Sequence, residues 1–180
     1  MKEWASQFAR TNCFSRETNM ADRASASMQI GGTLSRIQLP AFIEAIATDH
    51  GRLDWEGEPV EEDTITTGNV LEICAYDLPG GMFETVESFC RQHKLPFRRT
   101  SGGCSGVFGP ELVVYDLQGQ PRHYEMNESE QVVLTRNEIH DLGSIEKIED
   151  WFRSAEFTPP PIVLLEAGDP GSLAADFHHD

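Results

Sequence analysis

The residues of this chain best suited to nucleophilic chemistry are a cysteine in a glycine-rich stretch and a histidine further along. Cys104 lies within residues 100–110, which hold four glycines, and His123 is the candidate base. A thiol is activated when a base stands within hydrogen-bonding reach, so one interpretation is a small enzyme with a Cys104/His123 site. The other interpretation is a flexible connection between two strands, with no catalytic residue.

The same glycine-rich stretch lacks the features of a phosphate-binding loop. Such a loop leads directly into a helix N-terminus and commonly ends in Gly-Lys-Ser or Gly-Lys-Thr. Here Pro110 and a predicted strand follow the glycines. A plain strand connection is therefore the favoured interpretation, and no cofactor is predicted.

The histidines and cysteines are not spaced as metal ligands usually are. Zinc sites use close pairs such as Cys-x-x-Cys or His-Glu-x-x-His. Neither pattern occurs, so no metal site is predicted. Cys74 and Cys90 have apolar neighbours, which indicates buried and reduced thiols. The residues considered are His50, His93, His123, His140, His178, His179, Cys13, Cys74, Cys90 and Cys104.

Acidic residues outnumber basic ones by 30 to 14, which gives the chain a formal net charge of −16. A field of this sign repels phosphates, so strong nonspecific binding to DNA or RNA is excluded. The densest acidic segment is residues 49–63, in which Arg52 is the one basic residue and Trp55 a candidate apolar anchor. The predicted partner-binding residues are Asp54, Trp55, Glu56, Glu58, Glu61, Glu62 and Asp63.

This acidic segment predicts a non-enzymatic protein that binds a basic surface on another protein. Acidic groups speed association with a cationic partner, and an aromatic side chain among them supplies buried contact. The leading hypothesis extends to an inhibitor that occupies the nucleic-acid-binding surface of a host defence or DNA-handling protein. Two alternatives stay open besides the enzyme: an acidic surface that only keeps the protein soluble, and self-association through exposed strand edges.

Hydrophobic periodicity predicts an α+β fold with a ferredoxin-like βαββαβ core. The core strands are predicted at 28–37, 53–60, 69–76 and 96–100, and the core helices at 40–48 and 82–94. An antiparallel meander at 111–117, 122–126 and 131–136, a C-terminal helix at 144–155 and an extended piece at 162–165 are appended. The C-terminal helix is expected to begin after Ser144 and to bury Ile145, Ile148, Trp151 and Phe152.

Composition along the chain predicts one folded domain with two loose ends. Residues 1–27 lack a sustained apolar period and predict a flexible leader, within which Met20 is an alternative start. Residues 28–167 are predicted to form the domain, and residues 168–180 a disordered tail. No apolar run approaches the roughly 20 residues that cross a bilayer, and no signal-peptide pattern opens the chain, so a cytoplasmic protein is expected.

Residues 69–139 carry the one resemblance to known proteins. A strand, the helix start Pro-Gly-Gly-Met-Phe-Glu, the helix exit Phe-Cys-Arg-Gln-His-Lys-Leu-Pro-Phe and a hairpin leading to Gln-Val-Val-Leu follow one another. This order resembles uncharacterised small acidic proteins of bacterial plasmids and prophages. The resemblance implies a cytoplasmic accessory protein of a mobile element, and it implies no functional residue.

Overall fold

Residues 22–166 are described by a computed structural model, and they form an α+β structure around a five-stranded sheet. The strands are β1 (Arg23–Ile30), β2 (Gly32–Ser35), β3 (Leu71–Pro79), β4 (Phe97–Ser101), β5 (Glu111–Tyr115), β6 (Arg122–Glu125) and β7 (Ile162–Leu165). The helices are α1 (Leu39–Thr48), α2 (Glu84–His93), α3 (Arg136–Leu142) and α4 (Ile145–Ala155), with a 3-10 turn at Glu62–Thr64. Within these residues no helix is both long enough and apolar enough to cross a membrane.

The main sheet has the order β3-β1-β4-β5-β6, and each neighbouring pair is antiparallel. The α+β class predicted from sequence is confirmed, and β4, β5 and β6 follow one another as a meander. In a ferredoxin-like core neighbouring strands are also antiparallel, and each helical crossover joins two strands that flank a strand of the other unit. β3, α2 and β4 form one such unit around β1, but the strand predicted at 53–60 is not part of the main sheet, so the finer arrangement is not confirmed.

The first strand starts earlier than predicted. β1 begins at Arg23, whereas the folded domain was expected to begin at residue 28. The predicted flexible leader therefore needs correction at residues 23–27, where small alanines continue the strand period with little apolar signal. The buried positions alternate through Ala24, Ala26, Met28 and Ile30. Residues 1–21, which include the alternative start, and the predicted tail 168–180 lie outside the described residues.

Helices cover the sheet on both faces, but unequally. Met28 and Ile73 from the middle of the sheet lie in one apolar cluster with Phe42 of α1 and Val86 of α2. Leu112 of β5 belongs to a second cluster with Tyr124 of β6 and Ala155 of α4. Because successive strand residues point to opposite faces, α1 and α2 cover one face, and α4 covers only the β5–β6 part of the other.

The final strand docks beside a glycine. β7 pairs in parallel with β2, and the extended piece predicted at 162–165 is confirmed. A Cβ atom at Gly31 would lie 1.7 Å from the carbonyl oxygen of Pro160. Only glycine therefore allows the chain before β7 to approach this closely.

The prediction of a strand at residues 53–60 is wrong. Arg52 exchanges backbone hydrogen bonds with Cys74 at the outer edge of β3, and the chain then turns. Asp54 Oδ1 accepts from the Glu56 N–H at 3.0 Å, and the Asp54 carbonyl accepts from the Gly57 N–H. This side-chain turn competes with extended pairing, so the apolar and acidic alternation here does not form a strand.

The prediction of a third meander strand at residues 131–136 is also wrong. Only one bridge, between Met126 and Val132, pairs this segment with the chain after β6. Thr135 instead begins α3, because its hydroxyl accepts from the Glu138 N–H while the Glu138 carboxylate accepts from the Thr135 N–H. The Thr-x-x-Glu spacing of this capping box is visible in the sequence and indicates a helix start rather than a strand.

The C-terminal helix is confirmed, but its packing is looser than expected. Ser144 caps α4 by accepting from the Lys147 N–H. Ile145, which was predicted to be buried, is 78% exposed. The helix packs through its C-terminal half, where Trp151 contacts the second cluster and Ala155 is buried.

The best helix predicted from sequence, α2, is capped from a distant part of the chain. Its own N-cap residue, Phe83, offers no side-chain acceptor. The Asp49 carboxylate, just after α1, accepts from the N–H groups of Thr85 and Val86, each at 2.9 Å. One carboxylate thus satisfies two otherwise unpaired donors and adds negative charge at the positive end of the helix dipole.

We expect Asp49→Ala to lower the free energy of unfolding by about 1–2 kcal/mol, because α2 loses both acceptors at its N-terminus. Urea unfolding followed by circular dichroism measures this change. Asp63→Ala, at an exposed carboxylate that forms no hydrogen bond with the described residues, is the control and should stay within about 0.5 kcal/mol of the parent. Equal losses in the two variants would refute the capping role.

Candidate functional site

The face of the sheet opposite α1 and α2 carries polar side chains across β3, β1 and β4. Two cross-strand rows form this surface. In one row Gln29 stands between Glu72 and Arg98. In the next row Ser27 stands between Cys74 and Thr100. Apart from the buried Cys74, these side chains remain at least partly exposed, because α4 covers the sheet only further along.

A loop covers part of this polar face and closes a hollow over it. Leu53 and Trp55, from the turn after Arg52, overhang the two rows. The hollow has a volume of about 240 Å³, and it is referred to below as the Trp55 hollow. Its floor consists of Ser27, Gln29, Glu72, Cys74, Arg98 and Thr100.

Trp55 also forms an exposed aromatic pair with Tyr76 of β3. Its ring centroid lies 4.9 Å from that of Tyr76, with the planes tilted by 46°. Trp55 is 42% exposed and Tyr76 is 54% exposed. The stack holds a large apolar surface in a fixed position while much of it still faces water.

The seven residues predicted to bind a partner are all exposed. Among them only Glu62 takes part in a salt bridge within the described part of the chain, at 3.9 Å from Arg36. Glu61 closes the 3-10 turn by a reciprocal bond with Thr64. The remaining acids face solvent without a basic side chain within 4 Å in the described residues, so their negative charge is available to a partner.

Within the described residues, the Cys104 and His123 side chains form no hydrogen bond with each other. Cys104 closes a tight turn in which its N–H donates to the Phe108 carbonyl at 2.9 Å. His123 Nδ1 lies 2.6 Å from Glu111 Oε1 on the neighbouring strand. The two side chains line adjoining hollows that share Phe108 and Gly109. The geometry therefore gives the Cys104/His123 alternative no support from a direct contact.

A buried arginine network on the opposite face went unrecognised in the sequence. Arg99 has essentially no exposed surface, and its Nε lies 2.8 Å from Glu87 Oε1. Its Nη2 donates to Glu111 Oε2 at 2.8 Å. Its Nη1 donates to the carbonyl of Gly81 and the hydroxyl of Ser101, at 2.8 and 2.9 Å. The network joins α2, β4, β5 and the turn before α2.

The two carboxyl groups around Arg99 have opposite pKa shifts. Burial raises the pKa of Glu87, although Arg99 and Arg91 act in the other direction. Burial alone would also raise the pKa of Glu111, but hydrogen bonds from His123 and Arg99 hold it below its ordinary value. Glu111 is thus stabilised as a carboxylate by the fold, whereas burial disfavours the charged form of Glu87, a cost that its pairing with Arg99 must offset.

The two buried cysteines of the described residues, Cys74 and Cys90, are poor candidates for a nucleophile. Burial, assisted by the Asp54 carboxylate, raises the pKa of the Cys74 thiol in the Trp55 hollow. Burial raises the pKa of Cys90 more strongly. Both thiols are therefore neutral near pH 7. In the described residues no group of three His, Cys, Asp or Glu side chains is arranged to hold a metal ion.

The Trp55 hollow could have been found from one sequence signal. Along β1 the even positions are apolar or small, while Ser25, Ser27 and Gln29 occupy the odd positions. This alternation predicts a polar face, since strand side chains alternate with period two. The loop that overhangs this face depends on contacts distant in sequence, and no local pattern indicates them.

Glu87→Gln should lower the free energy of unfolding by about 3 kcal/mol, because it breaks a buried ion pair and leaves Arg99 with less compensation. The measurement is chemical unfolding at neutral pH. The control is Glu84→Gln in the same helix, where the carboxylate is exposed and about 0.5 kcal/mol or less should be lost. A loss at Glu87 no larger than at Glu84 would contradict the network.

Glu111 should make the stability of the protein depend on acid pH. Because its folded pKa is lowered, its contribution is complete above its ordinary pKa and is lost as the pH falls through the folded value. We expect the urea midpoint of the parent to fall more steeply than that of Glu111→Gln between about pH 5 and about pH 3. Parallel profiles for the two proteins would show that Glu111 is not stabilised as a carboxylate.

No protein-family model, curated protein or solved structure matches this chain.

Proposed function

We propose that this protein binds a basic surface on another protein through its acidic loop. The contact residues are those predicted from the sequence: Asp54, Trp55, Glu56, Glu58, Glu61, Glu62 and Asp63. Tyr76 joins them because it stacks on Trp55. This set of eight residues is called the Trp55 surface below.

The observation that carries the proposal is the exposed stack of Trp55 on Tyr76. Binding energy in protein interfaces is concentrated in a few aromatic or arginine side chains near the centre of the contact. A tryptophan held rigid by a neighbouring ring loses little conformational entropy when a partner covers it. Leu53, which is 37% exposed beside Trp55, extends the apolar area that a partner would bury.

The acids around this stack supply orientation and speed. Few of them are neutralised by basic side chains in the described residues, and the whole chain carries a net charge of −16. Such a field increases the rate of encounter with a positively charged surface and rejects anionic ones. Rim charges contribute more to the association rate than to affinity, so Trp55 and the acids have separable roles.

Proteins that handle nucleic acid present the most strongly basic surfaces that such an acidic loop could occupy. The proposal therefore extends to an inhibitor of a DNA-handling or defence protein in the cytoplasm. The resemblance of residues 69–139 to small acidic proteins of mobile elements is consistent with this role. An enzyme at Cys104 and His123 has no contact in the described geometry that favours it.

The test compares two variants of equal charge. One is Glu56→Lys, Glu58→Lys, Asp63→Lys, and the control is Glu128→Lys, Asp141→Lys, Glu149→Lys, which changes exposed acids elsewhere. Each replacement adds two positive units, so both triples raise the net charge by six. Proteins captured at low salt from cells that produce this chain are identified by mass spectrometry, and their association rates with purified parent and variants are measured.

We expect captured proteins to be basic, to bind the control triple like the parent, and to associate with the loop triple at least about tenfold more slowly. Trp55→Ala should weaken the same interactions by about 2 kcal/mol or more, mainly through faster dissociation. Equal slowing by both triples would mean that net charge alone attracts the captured proteins. A dissociation rate that Trp55→Ala leaves unchanged would show that Trp55 is not an anchor of the interface.

A further inference from the structure

We propose that the Trp55 hollow is a binding site for a small zwitterionic carboxylate, whose carboxylate group pairs with Arg98. This site shares Trp55 with the Trp55 surface, but its charged groups, Arg98 and Glu72, lie on the floor of the hollow and are not part of that surface. It requires no partner protein, so it can be tested on the purified chain alone.

The starting observation is an arginine that forms no salt bridge within the described part of the chain. Arg98 lines the hollow, and no carboxylate of the described residues pairs with its guanidinium. Its Nε atom is covered by protein atoms, as is that of Arg99, so the end of the guanidinium is the part that a ligand in the hollow would meet. The neighbouring Arg99, whose guanidinium pairs with two carboxylates, shows what the same side chain does when its role is structural.

The side chains around Arg98 suit an oxyanion. The two Nη atoms of a guanidinium form a planar pair of donors that matches the two oxygens of a carboxylate. Thr100 and Ser27 add hydroxyl groups to the floor in the next cross-strand row. Trp55 and Leu53 add an apolar wall against which the uncharged part of a ligand can pack.

The size of the hollow and the charges on its floor limit which anions it can bind. A hollow of about 240 Å³ is smaller than the roughly 300–1,000 Å³ of sites that hold drug-sized ligands, so a compound of a few heavy atoms is the right scale. Glu72 shares the floor with Arg98, on the opposite flank of Gln29. A second negative charge on the ligand would therefore be repelled, whereas an ammonium group would be attracted toward Glu72.

The positions of these two charges define the ligand further. Glu72 and Arg98 lie on the strands either side of β1, so their backbones are separated by two strand spacings, about 10 Å. A ligand that meets both side chains must therefore carry its two charges at separate ends, as an amino acid with separated charges does. Gln29 donates to Glu72 Oε1 and holds one carboxylate oxygen, which leaves the other oxygen for the ammonium group.

The proposed site binds its ligand without covalent chemistry. Cys74 is the one thiol in the hollow, and its sulfur faces the Arg52 carbonyl at 3.8 Å. Its surroundings are acidic and buried, which keeps a thiol protonated. Cys74 therefore contributes apolar lining.

The experiment is an NMR titration of the full chain labelled with nitrogen-15. The probes are β-alanine, acetate and succinate at equal ionic strength. The signals followed are the Arg98 Nε–H, the Trp55 indole N–H and the amides of Ser27 and Thr100. We expect β-alanine to shift these signals and to bind at least tenfold more tightly than succinate, with acetate between them.

Three variants locate the site. Arg98→Gln should weaken β-alanine binding at least tenfold, and Arg98→Lys should restore only part of it because the ammonium lacks the planar pair of donors. Arg122→Gln, at an arginine already paired with Asp116 at 2.6 Å, should bind like the parent. The amide spectra verify that each variant is folded.

The absence of shifts with any probe up to about 50 mM, a concentration that would miss only binding weaker than about 2 kcal/mol, would overturn the proposal. Tighter binding of succinate than of β-alanine, or binding that both Arg98 variants leave unchanged, would overturn it as well. None of these outcomes bears on the protein-binding role of the Trp55 surface, which is measured by the charge triples.

Discussion

The structure depends first on a buried arginine. Arg99 pairs with Glu87 of α2 and Glu111 of β5, and it also reaches the turn before α2 and the end of its own strand. A charged group of this size is tolerated in a core only when its donors meet acceptors, so this contact fixes both the position of α2 and the register of β4. Successive strand side chains point to opposite faces of the sheet. Because the Arg99 side chain points into the core, the Arg98 side chain lies on the other face.

The second constraint is the chain from Asp49 to Trp55, which serves the fold and the proposed site together. Asp49 caps α2, and Arg52 pairs with the edge of β3 through Cys74. These contacts carry the following turn over the polar face of the sheet and hold Trp55 against Tyr76. The aromatic pair, the acidic loop and the hollow beneath it are therefore consequences of one edge-covering segment.

Elements governed by local signals could be predicted from the sequence. The apolar stripe of α2, the Ser144 cap of α4 and the extended piece at 162–165 are found where they were expected, within one or two residues. Local signals were misread at residues 53–60, where a side-chain turn overrode an alternating pattern, and at residues 131–136, where a capping box was missed. In both cases a polar side chain bonded to nearby backbone decided the structure.

The site could be predicted only in part, because its geometry depends on contacts distant in sequence. The acidic loop and Trp55 were identified by composition, and they are exposed as a binding role requires. Tyr76 and the floor of the hollow come from other strands, and nothing in the sequence places them beneath Trp55. Arg98 and Arg99 are neighbours in the sequence, and only the strand alternation places Arg99 in buried ion pairs and Arg98 on the other face, where it forms no salt bridge with the described residues.

The contrast between these two arginines is the central claim, and their unfolding free energies test it most directly. Arg99→Gln should lose about 3–5 kcal/mol, since it leaves two carboxylates uncompensated in or near the core. Arg98→Gln, measured without ligand, should stay within about 0.5 kcal/mol of the parent or exceed it, because its guanidinium forms no salt bridge with the described residues. Similar losses in the two variants, or a larger loss at Arg98, would contradict the account.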